Sequence, residues 1–483
     1  MDVGRWAEVR VVSARKTVLL CGALILVALP ATADLEYYLD PGLGFQGTTR
    51  SASGFIPPDT MGAVGRDHIV ELINGRYRVY DKTDGTTVRN RSLNQFWLDA
   101  GVTPAGSFAF DPRVVYDPFS ERYFASSVDN AGGANNLLFA VSNSDDPLDG
   151  WSAALIDSDS DDTHWADFET LGFNADGVYV AANMFPISSG SNRTAVLAIE
   201  KAPLLGATPT FSGAIWQDLS LSSTGFAMQP VLDYDNTGLP YDLIGVVSGN
   251  TLSVSTISGD LSSSPTLTTG AQSVTTVTVS DPPDADQPND VQDLETNDIR
   301  ISSNVILING SYWGTQAVTR NGRSAIRWFE IDQSTYTVVQ EGFIEDSVLD
   351  LYYPSIAVSE DGFAAIGCSG SSASQFASAY VVHGEMQAGV MEFGDPVLIE
   401  AGSATYRRLD SRNRNRWGDY SATVIDPYNP RVFWTFQEYA HSQNEWATWI
   451  QRMDTERIPE PGTMALVGLG LAGLGWLRRR RKR

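Results

Sequence analysis

The 483-residue chain has very little cysteine and histidine, which removes two common sources of stability and chemistry. Its two cysteines are Cys21 and Cys368, and Cys21 lies in a segment that we expect to be removed, so the mature chain can form no internal disulfide. The four histidines are isolated, and the sequence contains no H-E-x-x-H, G-x-S-x-G or phosphate-loop pattern. No catalytic motif is therefore found, and the chain needs a large core or a closed architecture for its stability.

Positive charge is also scarce, since the formal net charge is −25 at pH 7. Residues 1–33 carry a net +2 and residues 462–483 carry +6, so residues 34–461 carry −33. A body this acidic repels nucleic acid and anionic membrane surfaces. It suits an extracellular space that contains divalent cations.

Helical periodicity is absent between residues 34 and 453. The chain instead shows short β-branched and aromatic runs, such as residues 69–73 and 324–331, separated by clusters of Gly, Pro, Asn, Asp and Ser. This pattern predicts an all-β fold.

One pattern recurs along the chain: an apolar strand, a turn rich in Asp, Asn and Gly, and a second strand. The copies are marked by Asp59, Asp111, Asp167, Gln229, Arg300, Tyr353 and Asp419, in steps of 52, 56, 62, 71, 53 and 66 residues. Each step has room for one four-stranded sheet. The repetition predicts a β-propeller of seven blades, with six or eight as alternatives, because radial blades leave only short, protected edges. A pair of β-sandwiches is the other possible architecture, but its repeats would not share a motif at this period.

Three phrases support the propeller: residues 57–65 (PPDTMGAVG), 183–185 (NMF) and 416–421 (RWGDYS). They resemble a diffuse group of secreted bacterial propeller proteins. That resemblance implies the fold and assigns no reaction.

The N-terminus has the three parts of a signal peptide. Four cations precede an apolar run at residues 17–29, and Ala31 and Ala33 form an A-x-A cleavage site. We expect export, with cleavage that leaves Asp34 as the first mature residue.

The C-terminus carries a second targeting signal. Pro459, Glu460 and Pro461 precede an uncharged apolar run at residues 464–477 and six cations at 478–483. This order resembles the PEP-CTERM sorting signal of Gram-negative bacteria, in which an exosortase recognises the Pro-Glu-Pro and processes the protein there. The resemblance implies an apolar helix that anchors the chain transiently in the inner membrane before it reaches the cell envelope or the exterior. An ordinary C-terminal anchor is the alternative. The predicted organisation is a signal peptide at 1–33, a propeller at 34–453 and a sorting segment at 454–483.

Two acidic stretches are candidate cation sites. Asp157, Asp159 and Asp161 alternate, so their carboxylates can share one side of an extended loop and bind Ca²⁺. An EF-hand does not fit, because Asp162 and Phe168 stand where it needs Gly and Glu. The second stretch, residues 281–298, has the composition of a long exposed loop. A solvated loop is the alternative interpretation of both.

Aromatic residues are plentiful, with 12 Trp, 18 Tyr and 20 Phe. Most should fill the core, but Trp417 and Trp446 could lie at a loop face and hold extracellular polysaccharide. We therefore predict an exported envelope or matrix protein whose propeller binds polysaccharide or a protein partner. The alternative is a secreted glycan hydrolase with carboxylates in the propeller mouth. Sialidase Asp-boxes do not fit the chain, since in the match that starts at Ser359 the residues Ala365 and Ile366 stand where the aromatic residue belongs.

Overall fold

The computed structural model describes the backbone of residues 38–456 and the side chains of residues 41–455. Within this span no helix is long and apolar enough to cross a membrane. Several predicted features lie outside the described residues: Ala31, Ala33, Pro459, Glu460, Pro461 and the apolar run at 464–477.

The first two blades are antiparallel meanders that follow chain order from the axis outward. The chain reaches them through β1 (Tyr38–Thr49) and the short helix α1 (Arg50–Ser53). The first blade contains β2 (Gly62–Val64), β3 (His68–Ile73), β4 (Arg76–Asp81) and β5 (Thr87–Ser92), followed by α2 (Leu93–Asp99) and a 3₁₀ turn (Ala105–Ser107). The second contains β6 (Ala109–Asp117), β7 (Arg122–Asp129), β8 (Asn136–Ser142) and, after a 3₁₀ turn (Pro147–Asp149), β9 (Trp151–Asp157).

The middle of the chain forms a sheet of nine strands and one separate blade. Its elements are β10 (His164–Phe173), β11 (Gly177–Pro186), β12 (Arg193–Glu200), α3 (Lys201–Leu204), β13 (Gly213–Ser220), α4 (Leu221–Thr224), β14 (Phe226–Pro230), β15 (Leu232–Asp233), β16 (Tyr241–Ser248), β17 (Thr251–Ser258), β18 (Thr266–Thr275), β19 (Ile306–Ile308), β20 (Ser311–Arg320), β21 (Arg323–Asp332) and β22 (Val338–Ile344). Strands β14 and β16–β18 form the separate blade.

The prediction of seven separate blades is wrong in its count, because the described residues form five separate blades and this nine-stranded sheet. The inner strand of the β14 blade breaks at Val231. Beyond the break, Leu232 of β15 pairs in parallel with Phe173 of β10 and with Ile306 of β19. This short strand therefore joins the meander β10–β13 to the meander β19–β22.

The last two blades close the ring. Their strands are β23 (Asp350–Val358), β24 (Phe363–Ser372), β25 (Gln375–Gln387), β26 (Val390–Phe393), β27 (Val397–Glu400), β28 (Ala422–Asp426), β29 (Asn429–Ser442) and β30 (Glu445–Glu456). Strand β1 adds to the outer edge of β30, where Tyr38 pairs with Glu456 and Gln46 with Trp449. The first and last strands thus share a blade, which closes the fold without a disulfide; Cys368 is buried and free.

Glu71, a fully buried residue of β3, ties this closure to the first blade. Its carboxylate accepts hydrogen bonds from the Thr48 hydroxyl at 2.6 Å, from the Tyr80 hydroxyl at 2.7 Å and from the Thr448 hydroxyl. A buried carboxylate with this many donors stabilises the closed form, since removing it would leave the donors unpaired.

The inner strands surround one axis, because β2 lies beside β6, β6 beside β10, β10 beside β14, β23 beside β28 and β28 beside β2. We call the end where these strands begin the acidic mouth, defined by Asp59, Asp111, Asp167 and Asp419. We call the other end the exit face, because the described chain enters and leaves there at Tyr38 and Glu456.

Candidate functional site

A repeated β-bulge shapes the acidic mouth. Pairing breaks near the start of the inner strands β6, β10, β14 and β23. At each break one non-glycine residue has a left-handed backbone, namely Asp111, Phe168, Ala227 and Tyr353, with φ of 50°, 51°, 49° and 50°. A bulge bends the strand and redirects the adjoining side chains. The four bulges therefore bring equivalent positions of different blades to one end of the axis.

Side chains of neighbouring blades stabilise these strained positions by accepting hydrogen bonds from their backbone. The amide N–H of Asp111 donates to Asn74 Oδ1 at 2.9 Å, and that of Phe168 donates to Asp111 Oδ2 at 2.9 Å. Across the closure, the N–H of Asp419 donates to Asp59 Oδ1 at 3.1 Å. These bonds link the first three repeats to one another and the first repeat to the last.

Three of the aspartates influence one another's ionisation. Asp59 and Asp167 both lie close enough to Asp111 for its charge to raise their pKa values. Burial raises the pKa of Asp59 well above its usual value, and neighbouring Asp419 and Asp111 raise it further. Burial followed by the charge of Asp111 does the same to the pKa of Asp167. Asp59 is 1% exposed and Asp111 8%, whereas Asp167 and Asp419 are partly exposed and can meet a ligand.

Two arginines complete the mouth. Arg416 binds Asp419 at 2.6 Å and lies 3.2 Å from Glu295. Arg300 makes two bonds of 2.8 Å to Asp298, and its guanidinium lies 4.9 Å from the ring centre of Phe226. Donors and acceptors of hydrogen bonds therefore stand side by side at this end of the axis.

A buried polar layer lies beneath the mouth. The guanidinium of Arg113 stacks 3.4 Å from the ring centre of Tyr420 and donates to the carbonyls of Glu169 and Ser302 at 2.9 and 3.1 Å. Burial, with the nearby Asp111, raises the pKa of Glu169 well above its usual value. This layer separates the acidic mouth from the aliphatic half of the axis, which ends at the exit face.

Five aromatic rings form a continuous row beside the mouth, which we call the aromatic row. Successive ring centres are 5.3, 5.4, 6.3 and 5.8 Å apart in the order Phe55, Phe108, Phe110, Trp165 and Phe185. Four of the rings are partly exposed, and Phe110 is buried. Phe110 directly precedes Asp111, while Trp165 stands two residues before Asp167 on β10 and so on the same side of that strand.

The predicted sugar-binding tryptophans are elsewhere. Trp417 and Trp446 are both fully buried, so the expectation that they lie at a loop face is wrong. Trp417 donates to the Ser369 hydroxyl at 3.0 Å, and Trp446 donates to the carbonyl of Phe55 at 3.2 Å. Both act as core residues.

The predicted calcium residues lie at the end of β9 and just after it, on the same face as the acidic mouth. Asp159 is buried, and its Oδ2 accepts from the backbone of Thr163 at 2.8 Å and of His164 at 2.7 Å. Asp157 and Asp161 are exposed, and a hydrogen bond from Thr163 lowers the pKa of Asp161. Among the described residues there is no group of three or more His, Cys, Asp or Glu side chains placed to hold a metal. Calcium binding here stays a prediction.

The second acidic stretch is not the exposed loop that its composition suggests. Ala285 and Leu294 pair with each other in an isolated bridge and are fully buried. Glu295 then binds Arg414 at 2.6 Å. The stretch therefore packs against the mouth and contributes to it.

Sequence reasoning named none of the four aspartates that define the mouth as a site, although it used Asp59, Asp111, Asp167 and Asp419 as repeat markers. The missed signal was geometric. Equivalent positions of radially arranged repeats lie on one ring around the axis, so charged markers at one position must meet there.

Comparisons with known proteins identify the C-terminal sorting signal. A model of the PEP-CTERM protein-sorting motif matches residues 457–481. The chain therefore carries this motif, which marks an exported protein that is sorted at a membrane and processed by an exosortase-type enzyme. No curated protein matches the chain.

Several solved structures follow a similar chain path. A Trypanosoma rangeli sialidase in complex with the inhibitor DANA has 10% identity and a TM-score of 0.38, covering 90% of this chain and 62% of its own. A Dyadobacter fermentans protein of unknown function has 7% identity and a TM-score of 0.39, covering 86% and 99%. The GH43 endo-arabinanase from Bacillus licheniformis has 11% identity and a TM-score of 0.32, covering 71% and 97%. The chain thus spans less than two thirds of the sialidase, and likeness at this level carries no argument about activity.

Proposed function

We propose that this protein is an exported component of the cell envelope or extracellular matrix that binds polysaccharide at its acidic mouth. The observation that carries the proposal is the aromatic row, which runs directly beside the partly exposed carboxyl groups of the mouth. Aromatic faces stack on the apolar faces of sugar rings, while carboxylates and arginines bond to hydroxyl groups. The two features together provide both kinds of contact within one surface.

The net charge of the body indicates which class of polysaccharide the mouth would bind. With a net charge of −33 on residues 34–461, the body repels polyanions such as uronic acid polymers. Neutral polysaccharides, or those with protonated amino groups, fit the mouth best.

A glycan array probed with the exported protein tests this proposal. We expect binding to neutral or amino glycans, and Trp165→Ala should weaken it at least tenfold because a stacking face is lost. Phe119→Ala is the matched control, since Phe119 is an exposed aromatic residue at the exit face. Absence of glycan binding, or equal loss in both variants, would contradict the proposal and leave a protein partner as the ligand class to examine.

Hydrolysis is the second candidate, favoured by Asp167. A partly exposed carboxyl group with a raised pKa can donate a proton to a leaving group. Release of reducing ends from a bound glycan, abolished by Asp167→Asn, would establish the enzyme; binding without release would exclude it for that glycan.

The route to this location is also part of the proposal. Cleavage after Ala33 should expose Asp34, and residues 464–477 should anchor the chain until processing at Pro459, Glu460 and Pro461. Glu460→Ala should block processing, which the mass of the cell-associated protein would show. An unchanged mature mass would contradict this route.

A further inference from the structure

An apolar cavity of about 270 Å³ occupies the axis at the exit face. The strands that line it are β2, β6, β15, β19, β23 and β28. Its lining is largely aliphatic and includes Val64, Val114, Leu232, Ile306, Ile356 and Ile425. The cavity opens between blades at the end of the axis opposite the acidic mouth.

Most polar side chains of the lining are already engaged, and Glu360 at the rim is exposed to solvent. Asn304 donates to the carbonyl of Leu171 at 2.8 Å, and Asp426 binds Lys82 at 2.8 Å. The Thr423 hydroxyl shares a hydrogen bond of 2.8 Å with Ser355. A polar guest would find few free partners, whereas apolar cavities accept hydrocarbon.

The rim of the cavity carries exposed aromatic rings beside charged side chains. Phe119, which lines the opening, is 48% exposed, and Tyr428, next to the lining residue Pro427, is 44% exposed. The Tyr428 hydroxyl bonds to Tyr116 and to Glu121, both at 3.0 Å, and the Arg66 guanidinium lies 4.3 Å from its ring centre. Exposed aromatic rings around an apolar opening are typical of surfaces that meet a membrane interface.

The described chain ends at this face, next to the sorting motif. Strand β30 ends at Glu456 beside the hairpin that links β28 to β29, and the residues of that hairpin line the cavity. The sorting motif starts at residue 457. The motif therefore begins at the residue that follows β30. A bilayer that holds the motif during sorting would meet the propeller at the end of the axis where β30 ends.

We propose that, before processing, the exit face docks on the bilayer and the cavity takes up an acyl chain of a membrane lipid. The cavity supplies an aliphatic wall for the chain, and Phe119 and Tyr428 supply interfacial contacts. In this orientation the acidic mouth faces away from the bilayer and from anionic lipid headgroups. This site is independent of glycan binding at the mouth.

The test uses the full chain reconstituted in phosphatidylcholine vesicles that contain a phosphatidylcholine with a photoreactive diazirine in its acyl chain. After irradiation, mass spectrometry should find labelled peptides from residues 114–119 and 356–360 as well as from the sorting segment. Labelling confined to residues 462–483 would overturn the proposal, and the labelled tail confirms that reconstitution succeeded.

Two variants show whether labelling depends on the cavity. Ala357→Leu narrows the cavity, and Phe119→Ser removes an exposed rim residue without disturbing the core; each should reduce propeller labelling at least threefold. Leu98→Ser is the matched control, since Leu98 is 46% exposed on α2. Unchanged labelling in Phe119→Ser and Ala357→Leu, both folded by circular dichroism, would overturn the proposal.

Discussion

The two ends of the propeller axis are built from the same inner strands but have opposite chemistry. In β6 the chain passes from Asp111 and Arg113 at the acidic mouth to Val114 and Val115 at the exit face within five residues. The closing blade repeats this change from Asp419 to Ile425. Because the blades repeat around the axis, the short change along each strand becomes a change along the whole axis, and the two ends of one fold present chemically different surfaces.

Substitution of Arg113, the buried cation of the polar layer beneath the mouth, should have the largest effect on the free energy of unfolding. Arg113→Met removes a fully buried guanidinium and leaves Glu169 without its neighbouring cation. We expect a loss of about 3 kcal/mol in the free energy of unfolding, measured by denaturant titration. Arg431→Met, at a residue whose side chain is 54% exposed, should change it by less than about 0.5 kcal/mol. Equal effects would show that the buried polar layer has no special role.

The aliphatic half should respond more weakly than an ordinary core. Ile306→Ala enlarges an existing cavity and should cost about 2 kcal/mol, because part of the side chain already lacks neighbours. Ile326→Ala, at a fully buried position of β21, is the matched control and should cost about 4 kcal/mol. If both cost the same, the axis at the exit face is packed like the rest of the core.

The pH dependence of stability separates the two ends further. The pKa of Asp167 is raised in the folded protein, so its contribution is fully present below the unfolded value near 4 and is lost as pH rises through the folded value. Asp167→Asn should flatten this decline and raise the melting temperature at neutral pH by about 2 °C. Asp99→Asn, an exposed control on α2, should leave the pH profile unchanged. A wild-type stability that rises with pH above 4, or a variant with an unaltered profile, would contradict the raised pKa of Asp167.

Calcium should have the smallest effect. A site formed by Asp157, Asp159 and Asp161 would stabilise the fold by about 0.4 kcal/mol at a calcium concentration equal to Kd. Asp159 also caps backbone amides, so the readout is the difference in melting temperature between calcium and chelator, which Asp159→Ala should abolish. Identical melting curves in both conditions would leave these aspartates as a solvated loop.

How far the sequence predicts this molecule depends on which interactions are local. The strand runs, the turns and the repeat spacing are local, and they predicted an all-β propeller. The merging of two meanders through β15 was not predictable, because it depends on parallel pairing between Leu232 and residues about 60 to 75 positions away. The burial of Trp417 and Trp446 likewise reflects tertiary packing that composition does not reveal.

The candidate site was predictable only in its parts. The markers Asp59, Asp111, Asp167 and Asp419 were visible in the sequence, but their convergence depends on left-handed backbone at bulges that no residue type signals. Asp111 and Tyr353 adopt this conformation where a glycine would be expected. Such strained positions persist because neighbouring blades hold them by hydrogen bonds.

Hydrogen exchange measured by mass spectrometry tests the central claim, that the two ends of the axis serve different ligands, most directly. The probe is the exopolysaccharide purified from the producing cells, added to the exported protein. The account predicts slower amide exchange in residues 108–111 and 164–168 at the acidic mouth, with no change in residues 356–360 and 423–430 at the exit face. Slower exchange at the exit face, or no change at the acidic mouth, would contradict it.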